Sequence, residues 1–455
     1  MTLIKSISGI RGTIGGPVGE NFTPIDIVEC TAAFGQWTLD RTGIARVVVG
    51  RDARISGKMV QELVVQTLMA LGIEVIDLDL STTPTVEMAV TDEKAGAGII
   101  LTASHNPAQW NALKFLNDKG EFISAADGAE VLEYIATRKM HFVPVEQIGA
   151  RIPKKDAIEK HITAILSLPL IPVAEIKKRQ FKVVVDPVNS TGSLALPPLL
   201  EKLGCEVQLI HGEPTGHFAH NPEPLPHHLT DLSQAVIDQK ADFGISVDPD
   251  VDRLALVCPD GSMFGEEYTL VAAADFILGH TPGATVSNVS SSLALKDVTE
   301  AHDQTYYSAA VGEVNVVTKM KEVNAVIGGE GNGGIIYPDL HYGRDALVGI
   351  AFILALLTER NTDLKALKAT YPPYEMVKDR IELDGSLDKS QVLQRVRDHF
   401  RNDLLNEIDG IKVEWPDRWV QIRASNTEPI LRVYAEAPTL PAAQALVDQV
   451  KGVLS

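Results

Sequence analysis

The stretch Arg46-Val47-Val48-Val49-Gly50-Arg51-Asp52 returns in altered form as Phe181-Lys182-Val183-Val184-Val185-Asp186. Each is a β-branched run closed by a carboxylate, the pattern of a buried parallel strand ending at a polar turn. Helical patterns follow both runs. After the first, Met59, Val60, Leu63, Val64, Leu68 and Leu71 recur at helical spacing, with Ser56 in the N-cap position and Gly72 closing the element. Strand-like Val75 to Leu80 and Gly98 to Leu101 come next. After the second run, a helix is predicted from about Gly192 to Leu203 and a strand near Val207. A third round starts near Cys258, with a helix over 266–279, a strand over 284–289 and a helix over 312–323. Three α/β units at a period of roughly a hundred residues read as duplicated domains, since solenoid repeats are far shorter.

Two breaks organise the chain: a stretch rich in Pro, Lys and Glu at 145–155, and Tyr371-Pro372-Pro373-Tyr374. Beyond the second, a strand (376–383), a helix (388–400), strands at 420–423 and 431–436 and a helix from Pro441 make a smaller α+β unit. The expected fold is therefore α/β in four domains. They are an α/β domain 1–150, a second at 151–257, a third at 258–371 and an α+β domain 372–455.

Composition narrows the function. Of 455 residues 45% are apolar, as in an ordinary globular protein. Sixty acidic side chains against 41 basic ones give a net charge of −19, which argues against a nucleic-acid or anionic-membrane surface. Cys30, Cys205 and Cys258 are scattered and form no C-x-x-C pair, as buried thiols of a reducing compartment would be. Met-Thr-Leu-Ile-Lys-Ser at the start has no apolar core of a signal peptide, and the apolar run Ala346 to Leu357 falls short of the roughly 20 residues that span a bilayer. A cytoplasmic protein with a small-molecule substrate is expected.

Four stretches can carry chemistry. Asp248-Pro249-Asp250-Val251-Asp252-Arg253 places three carboxylates at alternate positions after a strand-like run, a donor set for one hard cation. A calcium-binding EF-hand would need Gly and Glu where Arg253 and Pro259 stand. Thr102-Ala103-Ser104-His105-Asn106-Pro107 follows an apolar strand, where ligands of open α/β sheets bind, and presents Ser104 as a nucleophile with His105 beside it. Gly328-Gly329-Glu330-Gly331-Asn332-Gly333-Gly334 satisfies G-x-G-x-x-G, yet Ile335-Ile336-Tyr337-Pro338 cannot be the helix that a dinucleotide fold requires next. What remains is a flexible loop with a carboxylate and an amide suited to sugar hydroxyls. Arg423-Ala424-Ser425-Asn426-Thr427-Glu428-Pro429 reads as a phosphate-binding turn. His217, His220, His227 and His228 crowd a Pro-rich stretch whose spacing fits no zinc motif, so an ordered loop is the expectation there.

Together these stretches resemble the α-D-phosphohexomutase family over essentially the whole chain. Ser8-Gly9-Ile10-Arg11-Gly12 is similar to its N-terminal loop, T-A-S-H-N-P at 102–107 to its phosphoserine loop, and D-P-D-V-D-R at 248–253 to its metal loop. G-E-G-N-G-G at 329–334 resembles its sugar loop and R-A-S-N-T-E-P at 423–429 its phosphate loop. The resemblance implies four domains around one cleft and reversible transfer of phosphate between O1 and O6 of a hexose phosphate. In that scheme Ser104 is phosphorylated and a hexose 1,6-bisphosphate is the intermediate. Mg²⁺ would sit on Asp248, Asp250, Asp252 and a phosphate oxygen of Ser104. Arg11, Lys114 and Arg253 would surround the transferring group, with Lys114 or Arg11 exchanging the proton. Glu330 and Asn332 would grip the sugar, and Arg423, Ser425, Asn426 and Thr427 the other phosphate.

Two positions depart from the family. Gly334 stands where many members have His, and Trp110-Asn111-Ala112-Leu113-Lys114 where many show Tyr-Asn-Gly-x-Lys. The sugar loop resembles a phosphoglucosamine mutase branch, whereas T-A-S-H-N-P is shared with phosphomannomutase/phosphoglucomutase members, and a glucosamine phosphate is the preferred substrate reading. A phosphatase using an aspartyl nucleophile, or a non-catalytic sugar-phosphate binder, would fit parts of the same pattern.

Overall fold

Val47 and Val49 face one side of a sheet and Val48 the other, and both sides are covered. Val47, Val49, Val75, Ile99 and Leu113 share a core with helices Pro24–Thr42, Gly57–Ala70 and Ala125–Thr137. Val48, Ile76 and Ile100 pack against Val86, Ala89 and Val90 of helix Thr83–Asp92. Burial on two faces is why the run is apolar throughout instead of alternating.

The computed structural model describes residues 2–6, 9–382, 389–424 and 430–454. The chain divides into two units, Met1–Thr269 with Gly333–Lys365, and Leu270–Asn332 with Ala366–Ser455. In the first unit, strands β1 (Ile4–Ser6), β2 (Gly9–Thr13), β3 (Arg46–Arg51), β4 (Glu74–Leu80), β5 (Ala97–Leu101), β6 (Trp110–Leu116) and β7 (Arg151–Pro153) form one sheet. Their order is β1-β2-β6-β5-β3-β4-β7. The pairs among β3, β4, β5 and β7 are parallel, and β6 runs antiparallel to β5 and β2. A second sheet takes β8 (Lys182–Asp186), β9 (Glu206–Leu209), β10 (Phe243–Val247) and β11 (Leu254–Val257) in the order β11-β10-β8-β9.

The second unit holds β12 (Thr285–Asn288), β13 (Tyr306–Ala309) and β14 (Ile327–Glu330), with β12 parallel to both others. β15 (Gly334–Ile336) lies in the first unit. The last sheet is antiparallel: β16 (Glu375–Glu382), β17 (Leu404–Asn406), β18 (Ile411–Trp415), β19 (Arg418–Ala424) and β20 (Ile430–Ala437), ordered β16-β20-β19-β18-β17. Helices Lys389–His399 and Leu440–Leu454 supply Val392, Val396, Val447 and Val450 to its core. Three mixed α/β sheets followed by an α+β unit is the expected fold.

Two local expectations change. Ser56 does sit before its helix, but in helical conformation and without a capping bond; its Oγ accepts from Asn111 Nδ2 at 2.9 Å instead. The glycine-rich stretch is a turn only at Gly331–Gly333, because Gly328 to Glu330 belong to β14. A Cβ on Gly328 would lie 2.5 Å from Met320 Sδ, so this glycine lets helix Glu313–Val323 pack on the strand.

Ala346–Leu357 is buried along its whole length in helix Ala346–Glu359, and no described helix is long and apolar enough to cross a membrane. The three cysteines are free and buried.

Asp345 caps that helix through Oδ1, on Leu347 N and Val348 N, and closes a buried charge network through Oδ2. His161 Nε2 lies 2.9 Å and His341 Nε2 3.3 Å from that oxygen, while His341 Nδ1 faces Glu87 Oε2 at 3.3 Å. Burial works against a charged His341, but Asp345 and Glu87 outweigh it and push its pKa up to about 10. A raised folded pKa stabilises fully below the unfolded value near ~6.5 and loses that contribution as pH rises through about 10. His341→Gln should therefore destabilise the fold at pH 6 by about 3–5 kcal/mol, the usual result of stripping one partner from a buried pair. Unfolding curves of the variant and wild type, taken at rising pH, should converge as wild-type His341 loses its proton; a constant difference would contradict this.

Candidate active site

β5 runs out at Leu101 and the chain turns sharply. Ser104 has φ +48, a left-handed conformation that a non-glycine residue holds only under constraint. The constraint is Arg54, which is 1% exposed. Its guanidinium donates to the carbonyls of Ser104, Asn106 (2.6 Å), Pro107 (2.8 Å) and Trp110 (3.0 Å). Asp52 orients it through Oδ2, 2.9 Å from Arg54 Nε, and takes a further bond from Thr102 Oγ1 at 2.7 Å. Thr102 Oγ1 in turn accepts from Ser104 N.

This turn aims the Ser104 hydroxyl at Asp248. Ser104 Oγ donates to Asp248 Oδ2 at 2.6 Å, and His105 Nδ1 is 3.4 Å from the same oxygen of Ser104. Asp248 follows β10, and its Oδ1 accepts from Asp252 N and Arg253 N, both at 3.1 Å, which folds the acidic segment into a turn. Val251 at φ +64 is the strained residue of that turn and is wholly buried. Ser190 and Thr191 hydroxyls hold Pro249 O, while Thr83 Oγ1 donates to Asp250 Oδ2 at 2.6 Å.

Asp248, Asp250 and Asp252 are each 0% exposed, and one oxygen from each lies within 4.8 Å of the others. Burial and then the charges of Asp252 and Asp250 push Asp248 well above the carboxylate range. Burial also disfavours a charged Asp250, but Lys114 overrides it and holds that carboxyl low. Asp250 Oδ1 and Asp252 Oδ1 have no hydrogen-bond partner among the described residues. Buried, unsatisfied carboxylate oxygens converging from one turn fit a hard divalent cation.

Cations ring the turn. Lys114 Nζ lies 2.8 Å from Asp250 Oδ2 and 3.6 Å from Asp252 Oδ2. Burial alone would lower its pKa, yet those two carboxylates raise it above the ordinary range. Arg344 Nη2 donates to Asp252 Oδ2 at 2.7 Å, and Arg253 Nη1 faces Glu223 Oε1 at 3.7 Å. Burial, then Arg253 and Arg344, set His105 well below its usual pKa, so it is neutral near pH 7. Arg11 on β2 is opposite Ala112 of β6, which puts it diagonal to Lys114 on one face of the sheet.

In the second unit Glu330 is 6% exposed, and its Oε1 accepts from Asn288 Nδ2 at 3.0 Å and Gly312 N at 3.2 Å. Asn332 follows in the turn after β14. Arg423 is buried at the end of β19; burial lowers its pKa, and its Nε has no hydrogen-bond partner among the described residues. Ser425, Asn426 and Thr427 lie outside the described residues.

Asp52, Arg54, Thr83 and Arg344 join the site without belonging to any of the four sequence motifs. A signal existed for the first two: an Arg-Asp-Ala-Arg cluster at the end of an otherwise apolar strand must find partners once buried. Thr83 and Arg344 gave none.

Known proteins place this arrangement. The phosphoglucomutase/phosphomannomutase alpha/beta/alpha domain I description matches residues 3–141, domain II 159–261, domain III 265–374, and the C-terminal domain 380–453. A phosphoglucomutase/phosphomannomutase of Thermococcus kodakarensis is 34% identical over 94% of each chain. A phosphoglucosamine/phosphogalactosamine mutase of Sulfurisphaera tokodaii is 29% identical over 98% of each. The crystal structure of a phosphoglucomutase/phosphomannomutase family protein from Burkholderia thailandensis superposes with a TM-score of 0.86 at 24% identity, covering 99% of this chain and 96% of that one.

The buried carboxylates make a stability prediction. A hard divalent cation at 100 times its Kd should stabilise the protein by about 2.7 kcal/mol and raise Tm by several degrees. Asp248→Asn keeps an acceptor for Asp252 N and Arg253 N but removes one charge. Scanning calorimetry should find it at least as stable as wild type without cation and without most of the cation-induced shift.

Proposed function

The chain belongs to the phosphoglucomutase/phosphomannomutase family, and on that premise we propose that it is a phosphohexomutase whose phosphoryl group travels through Ser104. Phosphohexomutases are isomerases that move phosphate between two hydroxyls of one hexose. The observation that carries the assignment is the Ser104 Oγ bond to Asp248, a constrained hydroxyl against three buried carboxylates.

The reaction asks for in-line positioning and charge compensation more than covalent strategy. Phosphoserine at 104 gives its phosphoryl group to O1 or O6 of the bound sugar phosphate: the P–Oγ bond breaks, a P–O bond to the sugar forms, and the sugar hydroxyl loses its proton. The resulting hexose 1,6-bisphosphate turns over and returns its other phosphate to Ser104. Arg54 fixes the loop, so Oγ keeps one place in both halves of the cycle. Asp248, Asp250, Asp252 and a phosphate oxygen on Ser104 would hold the cation, taken as Mg²⁺, which when bound supplies neutralisation of the transferring charge.

Lys114 is assigned to the proton. Asp250 and Asp252 keep its ammonium form at rest against the pull of burial. Any compensation of those carboxylates leaves burial dominant and moves the amine toward a range where it exchanges a proton with a hydroxyl. Arg11, Arg253 and neutral His105 stand as further groups around the reacting oxygen. To the second unit we assign sugar contacts by Glu330 and Asn332 and the second phosphate by Arg423 with Ser425, Asn426 and Thr427. Glucosamine 6-phosphate is the preferred substrate in this reading: an amino sugar favours a carboxylate such as Glu330, and the relative from Sulfurisphaera tokodaii bears the name of an amino-sugar mutase.

Phosphorus NMR of the protein with Mg²⁺, a trace of hexose 1,6-bisphosphate and the 6-phosphates of glucosamine, mannose or glucose tests the proposal. New 1-phosphate signals without free phosphate are expected, fastest with glucosamine. Ser104→Ala should lose at least ~10³-fold in rate, on the scale seen when a nucleophile is deleted. Accumulating inorganic phosphate would instead make the protein a phosphatase.

A further inference from the structure

Three α/β strands end in the same turn. Asp52, Asp186 and Asn288 each use Oδ1 to accept from the backbone N–H two residues on, at 2.9, 3.0 and 3.0 Å. The second side-chain atom differs. Asp52 Oδ2 meets the Arg54 guanidinium and Asn288 Nδ2 meets Glu330. Asp186 Oδ2 instead receives two imidazoles, His211 Nδ1 at 3.0 Å and His220 Nε2 at 3.1 Å.

The far nitrogens explain what this means. His220 Nδ1 is 2.7 Å from Asn221 O, a carbonyl that only accepts, so Nδ1 carries the hydrogen. In neutral His220 the Nε2 atom then points a lone pair at a carboxylate oxygen, which needs something positive between them. His211 also turns Nδ1 inward, with its Nε2 3.7 Å from Asp231 Oδ2, beyond hydrogen-bond distance. An imidazole with one nitrogen on an oxygen acceptor and the other facing inward is the second-shell pattern of a metal ligand. Ligands ~2.1 Å from a tetrahedral ion lie about 3.4 Å apart, so the 3.0 and 3.1 Å N–O separations would open by a few tenths of an ångström to take one. His211 also sits at φ +49, a conformation held against its ordinary preference.

We propose that Asp186, His211 and His220 form a second metal site, for a transition-metal ion of the zinc class. Two nitrogens and one carboxylate favour such an ion over Mg²⁺, which selects oxygen. The histidine side chains are 22% and 15% exposed, so solvent reaches the site and completes the coordination. No cluster within the histidine-rich stretch itself is involved; His220 pairs with residues 9 and 34 positions upstream. The consequence is local order. The segment from His211 to His220 leads into Glu223, which faces Arg253 at 3.7 Å and His105 Nε2 at 3.9 Å. An ion on Asp186 anchors this segment to β8 and fixes where Glu223 sits.

Without an ion, a proton fills the same place: burial opposes it, but Asp186 raises the His220 pKa. The experiment separates the two. Metal-stripped full-length protein is dialysed against Zn²⁺ in excess Mg²⁺, and bound zinc is counted by mass spectrometry. Wild type should hold one zinc that His211→Gln and His220→Gln bind at least ~10-fold more weakly, the minimum even for outer-shell changes. Cobalt(II) in place of zinc should give the visible spectrum of a nitrogen-ligated ion in wild type. Absence of bound zinc in wild type, or an oxygen-only cobalt spectrum, overturns the proposal whether or not the variants fold. Equal binding by folded variants overturns it too.

Discussion

Three carboxylates are buried within five residues of one turn, and much of the first unit is arranged around the cost of that. Two unit charges about 4 Å apart repel by roughly 4 kcal/mol at the dielectric of a protein's outer regions. Withdrawing each from water adds several kcal/mol more. Every element near the turn answers that cost. β6 sends in Lys114, the chain before helix Ala346–Glu359 sends in Arg344, helix Thr83–Asp92 gives a hydroxyl from its first residue, and the loop after β5 gives Ser104. Among the described residues, Asp250 Oδ1 and Asp252 Oδ1 still lack a hydrogen bond. The fold thus gathers buried carboxylates and the cations that compensate them at one point, a polar environment fixed in place before substrate arrives.

The means of holding it is the strand end. Parallel strands buried on both faces cannot carry polar side chains until they leave the sheet, so chemistry collects just past their carboxyl ends. Asp52, Asp186 and Asn288 mark that exit in the three α/β sheets with one shared turn, and each sheet uses the spare side-chain atom differently. In the first it fixes the arginine that shapes the serine loop. In the third it fixes Glu330. Three sheets of one kind thus give the same position separate tasks.

This architecture also decides what a reader of the sequence can see. The repeated valine runs, the tail's change of pattern and the loops bearing Ser104 and the three aspartates are local, and short stretches display them whole. Partners brought from afar are not local. Arg54 lies fifty positions before the serine it constrains, and Arg344 lies ninety-two beyond Asp252. Ser56 has the residue type of a cap, but a tertiary bond to Asn111 takes its hydroxyl. The glycine at 328 resembles part of a flexible loop because close packing on Met320 and flexibility call for the same residue. His211 and Asp186 are invisible for the same reason as Arg344: they meet His220 through the fold, not through spacing within the 217–228 stretch.

The central claim is that Ser104 carries the phosphoryl group between the two ends of the sugar. The most direct measurement is the intact mass of the protein after incubation with a hexose 1,6-bisphosphate, followed by fragmentation to locate the modification. The account predicts a gain of one phosphoryl group, located on Ser104 and removed by excess hexose monophosphate. An unmodified protein that nonetheless interconverts the sugar phosphates, or a phosphoryl group on an aspartate of the 248–252 turn, would contradict it.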